Sequence, residues 1–192
     1  MDRKKGHLTK NVKDVTKSLM WIKMIGVGNI SVGKTCLIKH FCESKFSSVY
    51  QPTVGVDYGF KIAHIVDLDL RVHLWDLSGN AEYIDVRNEL YTNTDAIFLV
   101  FDITNPGSFE CLENWLKEIH KYSQGHQPEI VVVGNKHDLK AKRNVKEESA
   151  RRWATQHKFS YFETSTATGY GVETMFKELL TNVAAKKNLL QK

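Results

Sequence analysis

Residues 28–35 read Gly-Asn-Ile-Ser-Val-Gly-Lys-Thr, which fills every required position of the pattern G-x-x-x-x-G-K-[ST]. Just before it, Leu19–Val27 is an apolar run of strand character. Just after it, Lys34–Glu43 carries Leu37, Ile38 and Phe41 at helical spacing. Strand, glycine loop and helix in that order make a phosphate cradle. The glycines let backbone N–H groups turn inward without side-chain collision, and the helix N-terminus adds the positive end of its dipole. Gly28, Ile30, Ser31, Val32, Gly33, Lys34, Thr35 and Cys36 are the expected phosphate-site residues. Lys34 is placed to reach the β- and γ-phosphates, and the Thr35 hydroxyl to ligate Mg²⁺.

By itself the loop specifies only a nucleoside triphosphate; the base is specified downstream. Asn135-Lys136-His137-Asp138 follows the apolar run Ile130–Val133 and Gly134. A carboxylate such as Asp138 can accept both guanine N1–H and the exocyclic amine, a donor pair that adenine lacks. A polar pocket rejects the wrong base because its own groups would be left unpaired. Between these segments lie Thr53 and Asp76-Leu77-Ser78-Gly79. Asp76, at a strand end, can hold Mg²⁺ through water, Thr53 can coordinate it through its hydroxyl, and Gly79 can offer its N–H to the γ-phosphate. Contacts of that kind order a segment while the third phosphate is present and release it afterwards.

The rest of the chain alternates strand-like and helix-like segments, an α/β signature. Val56–Val66 and Leu70–Trp75 read as strands of an antiparallel hairpin turned by Asp67-Leu68-Asp69. Ala96–Ile103 is a near-continuous apolar run, as in a central strand buried on both faces. A helix is expected from Pro106 through Phe109, Leu112, Trp115 and Ile119. Further expectations are a helix over Glu147–His157, a strand over Phe159–Phe162 and a last helix with Val172, Met175, Phe176, Leu179, Leu180 and Val183 on one stripe. One domain over residues 19–186 is expected, between a basic tail over 1–18 and a short tail over 187–192.

Composition excludes several classes. The 192 residues are 42% hydrophobic and 26% charged, ordinary for a globular protein. No apolar run approaches the roughly 20 residues of a membrane span. Three cysteines without a C-x-x-C suit a reducing, cytoplasmic setting, and the eight histidines show no ligand spacing. Of the net charge of +5, residues 1–20 supply about four, through six basic against two acidic side chains. That excess admits weak attraction to an acidic lipid surface or nucleic acid, or simply a solvated tail. With no RNA-binding aromatic motif, nucleic acid is not an expected partner. The N-terminus lacks a signal-like apolar region, Asp2 precludes N-myristoylation, and no cysteine follows Cys111 to accept a prenyl group. Either the protein acts without a lipid anchor, as a monomer with at most weak membrane contact, or the chain is a truncated one.

These motifs resemble the Ras superfamily of small GTPases, and within it the Rab branch. Val-Gly-Val-Asp-Tyr at 54–58, Leu-Val-Phe-Asp-Ile-Thr at 99–104 and the Trp75-Asp76 strand end carry the resemblance, which covers nearly the whole chain. It implies an α/β G domain with a six-stranded, mostly parallel sheet, one strand antiparallel, and helices on both faces. It further implies binding of GTP or GDP with Mg²⁺. By analogy Phe46 packs on the guanine ring and Tyr50 closes over the phosphates. Glu163-Thr164-Ser165 supports the base, and the Thr166 N–H, with Ala167 beside it, meets guanine O6. Effector, exchange-factor and activating proteins would read the Thr53 and Gly79 regions, with Tyr58 and Trp75 as candidate anchors, in signalling or vesicle trafficking. Val86-Arg87-Asn88-Glu89-Leu90-Tyr91 and the missing anchor resemble the Rab-like GTPases fused to a C-terminal DnaJ domain.

The departures from that family concern catalysis. Asn80 stands where a glutamine usually orients the attacking water, and its amide reaches about 1.5 Å less far. Positioning errors near 1 Å can cost on the order of 100-fold in rate. Ile30 replaces a small residue and would crowd both that amide and an arginine finger, itself worth about 10³ to 10⁵ in rate. Ala81 and Glu82 replace a Glu-Arg pair, Thr166 and Ala167 an Ala-Lys pair, Leu90 a partner-contacting tyrosine, and Ser78 an alanine. The expected protein therefore grips GTP through an intact site and hydrolyses it slowly, with Lys34, Gly79 and Asn80 as its catalytic groups. The alternative is a hydrolysis-deficient, GTP-bound scaffold.

Overall fold

The computed structural model describes residues 20–189. The expected basic tail over 1–18, the start of the first strand at Leu19 and residues 190–192 lie outside the described residues. Strand β1 is Trp21–Val27, and helix α1 is Lys34–Glu43, the span expected from its apolar spacing. Strands β2 (Val56–Ile65) and β3 (Leu68–Leu77) follow, then the short helix α2 (Ile84–Asn88) after a 3₁₀ turn at Ala81–Tyr83. Strand β4 is Ala96–Asp102, helix α3 Pro106–Glu110 and helix α4 Leu112–Tyr122. Strand β5 (Glu129–Asn135), helix α5 (Glu147–Gln156), strand β6 (Ser160–Thr164) and helix α6 (Val172–Lys186) complete the fold.

The six strands form one sheet in the order β2-β3-β1-β4-β5-β6. Only the β2–β3 pair is antiparallel. All seven residues of β4 are buried, because helices cover both faces of the sheet at that strand. Alternate residues of β1 sort to the two sides. Ile22 and Met24 join Leu37, Ile38 and Phe41 of α1 and Met175, Phe176 and Leu179 of α6. Ile25 and Val27 join Leu112, Trp115 and Ile119 of α4 and Ala150 and Ala154 of α5. Leu189, beyond the last helix, packs against the first of these clusters.

The sequence misplaced several boundaries. The hairpin turn is Val66-Asp67 rather than Asp67-Leu68-Asp69, because Leu68 pairs with Ile65 and Asp69 with His64. The helix expected from Pro106 is broken at Cys111 into α3 and α4. Strand β5 runs on through Gly134 to Asn135, paired with Phe101 and Asp102 of β4, so the first residue of the Asn-Lys-His-Asp segment sits in the sheet. Strand β6 runs to Thr164 for the same reason, pairing with Asn135. These extensions matter to function. The parallel strands deliver Val27, Asp76, Asp102, Asn135 and Thr164 to one edge of the sheet, where an open α/β fold forms its ligand crevice.

Candidate functional site

At that edge a cavity of about 570 Å³ is lined by the glycine loop, the 45–54 segment, residues 78–80 and the loops after β5 and β6. Its size falls within the range of small-molecule sites. The loop's shape is enforced by contacts that leave no room for a side chain at Gly33. Its φ is +99°, and a Cβ there would lie 2.3 Å from the Asn135 amide nitrogen. Lys34, the first residue of α1, is buried. Its Nζ donates to the carbonyl oxygens of Gly28 at 2.8 Å and Asn29 at 2.9 Å, so the ammonium lies across the loop. Burial pushes the Lys34 pKa down to about 8, against the pull of the Asp76 carboxylate.

Beside Lys34 three oxygen-bearing side chains from three elements meet. The Thr35 hydroxyl donates to Asp76 Oδ2. Thr53 Oγ1 donates to the same oxygen at 3.1 Å and lies 3.0 Å from Thr35 Oγ1. Asp76 is buried, and among the described residues its Oδ1 has no hydrogen-bond partner. Burial raises the Asp76 pKa, partly offset by the Thr35 hydrogen bond and the Lys34 charge. A buried, half-satisfied carboxylate flanked by two hydroxyls is a hard-oxygen donor set suited to Mg²⁺. Among the described residues no group of three His, Cys, Asp or Glu side chains forms a metal site, so an ion at this position needs oxygens from a ligand or water to complete its shell.

The opposite end of the cavity is built from the loops after β5 and β6. Asn135 is buried and ties three segments together: its Nδ2 donates to the Val32 carbonyl at 2.9 Å, and its Oδ1 accepts from Thr164 Oγ1 at 3.0 Å. Lys136, in a left-handed conformation with φ 69°, is fixed by an ion pair with Asp102 at 2.7 Å. Asp138 is exposed on the cavity wall, and Ser165 Oγ donates to its Oδ1 at 2.5 Å. Thr166 and Ala167 also line the cavity, as do Phe46 and Tyr50, each about half exposed. Ile30, Ser31, Gly33, Lys34, Thr35, Cys36 and Thr53 also line the cavity; Gly28, Val32, Asp76 and Ser165 do not. Glu163 does not line the cavity. Its carboxylate is held by Arg143 at 2.7 and 2.6 Å and by the Tyr161 hydroxyl at 2.8 Å, a fold contact rather than a ligand contact.

Gly79 and Asn80 line the cavity beside the glycine loop. A Cβ at Gly79 would lie 2.5 Å from Asn29 C and Ile30 N, so any larger residue would push this segment off the loop. The Asn80 side chain is not free. Its Oδ1 accepts from the Glu82 N–H at 3.2 Å, capping the 3₁₀ turn, and its Nδ2 donates to Glu82 Oε2 at 3.0 Å. Ile30 projects into the cavity mouth, 58% exposed. Sequence reasoning missed the supports behind these groups: Asp102 under Lys136, Trp115 under Asn29, and Arg87 under Asn80. The first two join residues far apart in the chain, and Arg87, seven residues from Asn80, is aimed by Glu118, 31 residues further on, so no local pattern could announce them.

Comparison with known proteins fits this geometry. The family model described as "Ras family" matches residues 23–185. DnaJ homolog subfamily C member 27-A of Xenopus laevis is 41% identical over 169 residues, which are 86% of this chain and 62% of that protein. DnaJ homolog subfamily C member 27 of Rattus norvegicus is 38% identical over 175 residues, 89% of this chain and 64% of that protein. The Gallus gallus protein of that name is 40% identical over 169 residues. The chain thus spans less than two thirds of the length of these relatives. The match runs from within β1 to the last turn of α6 and takes in every wall of the cavity, and on it the chain belongs to the Ras family of small GTPases.

Proposed function

We propose that this protein is a Rab-like guanine-nucleotide switch that holds GTP with Mg²⁺ and hydrolyses it slowly. The observation that carries the proposal is the meeting of Thr35, Thr53 and the half-satisfied Asp76 carboxylate beside buried Lys34, at the end of the cavity opposite Asp138. Thr35, Thr53 and Asp76 would hold the ion, which would neutralise phosphate charge when bound. Lys34 would give up its two carbonyl partners for phosphate oxygens. Asp138, with one oxygen already held by Ser165, would read the guanine edge between Phe46 and the Thr166–Ala167 loop. The loop holding Thr53 and the turn holding Gly79 would change state with the third phosphate, offering partners two surfaces. Beside them Tyr58 and Trp75 present exposed or half-buried rings 5.1 Å apart, which suit an anchor contact with an effector.

Slow hydrolysis follows from two groups. The Asn80 amide would have to leave both Glu82 contacts to orient a water, and it is short for the task. Ile30 lines the same cavity and would crowd the amide as it turned inward. The same capped Asn80 favours a second function, a scaffold held in its GTP state. Single-turnover hydrolysis separates the two and tests the whole proposal. Asn80→Gln and Ile30→Gly are each expected to raise the rate more than about threefold, a modest share of what 1 Å of misplacement can cost. A smaller rise, or wild-type hydrolysis as fast as unassisted Ras-type proteins, would contradict slow catalysis by these residues. Hydrolysis undetectable in all three proteins would favour the scaffold.

A further inference from the structure

Behind the turn that carries Gly79 lies a buried polar cluster, Arg87, Tyr91, Trp115 and Glu118, none of which lines the cavity itself. Arg87, on α2, is only 4% exposed. Its Nε and Nη2 donate to the two carboxylate oxygens of Glu118 on α4, at 2.6 and 2.9 Å. Tyr91 donates its hydroxyl to the same carboxylate at 2.8 Å, and the guanidinium stacks over Trp115, 4.8 Å from the ring centroid. The remaining nitrogen, Nη1, donates to the carbonyl oxygens of Asn80 at 2.6 Å and Ser78 at 3.3 Å, the residues on either side of Gly79. Trp115 completes the link by donating Nε1–H to Asn29 Oδ1 at 2.7 Å, in the glycine loop against which Gly79 rests.

A buried ion pair is weak evidence of added stability, because an apolar pair of the same shape is often as stable. What an apolar pair could not supply is a donor aimed at two specific carbonyls. Burial opposes the Arg87 charge, and the hydrogen bonds and charge of Glu118 outweigh it, so the guanidinium stays ionised. Five N–H donors in a rigid fork then fix α2, α4 and the Gly79 turn relative to one another.

We propose that Arg87, held by Glu118, is a positioning residue for the Gly79 N–H, and that this cluster sets the preference of the site for a nucleoside triphosphate over a diphosphate. The inference rests on the guanine-nucleotide function above. Gly79 faces only the third phosphate in that function, so loosening its turn weakens GTP binding and spares GDP. Asn29, held through Trp115, keeps the loop side of the same contact in register.

The test is to titrate GDP and a non-hydrolysable GTP analogue, with Mg²⁺, into the wild-type chain and into Arg87→Lys, Glu118→Gln and Glu118→Ala. Glu118→Gln keeps the shape and one hydrogen bond, so it decides the matter if the other variants do not fold. The expected result is GDP affinity within about twofold of wild type and analogue affinity reduced about tenfold in Glu118→Ala, the scale of losing a charged hydrogen bond. Glu118→Gln is expected to fall between wild type and Glu118→Ala, a partial rescue by the conservative change. Equal losses for both nucleotides, or no loss for either, would overturn the positioning role and leave a purely structural pair. A wild-type chain that binds neither nucleotide would overturn the switch function itself, a different failure visible before any variant is measured.

Discussion

Lys34 shows at the scale of one residue how function and local energetics are opposed. Its ammonium is buried against two carbonyl oxygens, and desolvation lowers its pKa to about 8. A bound phosphate raises that value again, because an adjacent anion favours the charged form. Binding therefore takes up a proton once the pH exceeds the free-site value, and affinity falls as pH rises. Between pH 7 and pH 8.5 the protonated fraction drops about fourfold for a group titrating near 8, and GDP affinity is expected to drop by the same factor. Lys34→Arg keeps its charge throughout and serves as the control: its affinity should be nearly flat over that window, apart from any titration of the base. A wild-type profile as flat as that of the arginine variant would rule out the lowered pKa. Lys34, Thr35 and Asp138 were legible in the sequence because each belongs to a short pattern whose chemistry is local. Arg87 and Glu118, 31 residues apart on two helices, were not.

At the scale of elements the errors have a common cause. Apolar spacing marks where a strand or helix is buried, not where its hydrogen bonding stops. The first helix was placed correctly because Lys34 follows a loop that cannot continue the strand and Ser44 closes it with a left-handed φ of 54°. The β2–β3 hairpin was misread because Leu68 and Asp69 look like turn residues between two hydrophobic runs, yet both are paired. The true turn places Val66 at φ 54°, a conformation that a β-branched side chain adopts with difficulty. Left-handed backbone costs roughly 1–2 kcal/mol in a non-glycine residue, and glycine gives back part of that through unfolded-state entropy. Val66→Gly is accordingly expected to stabilise the fold by about 1 kcal/mol, since Val66 is 73% exposed and loses little packing. For a domain of this size that is a rise of about 2–4 °C in Tm by thermal unfolding. A fall in Tm would mean that the hairpin turn is not the one described.

Over the whole molecule, the sheet order brings the groups proposed to read the base and the phosphates to one edge. β1 sits between β3 and β4, so its loop meets Asp76 on one side, and the loop after β5 lies two strands away on the other. The order of motifs along the chain made the fold class legible: loop, Thr53, Asp76–Gly79 and Asn135–Asp138 occur in the sequence that such a sheet requires. The tightness of the site was not legible, because it depends on side chains that stand behind the motifs, such as Asp102, Arg143 and Trp115. Both kinds of residue bear on one claim, that the cavity is a holder of GTP. Mass analysis of the nucleotide that the chain carries through purification in Mg²⁺, repeated over several hours, tests it directly. The expected result is guanine nucleotide close to one per chain, with triphosphate present at the start and declining slowly. No guanine nucleotide, an adenine nucleotide in its place, or diphosphate alone from the first measurement would contradict it.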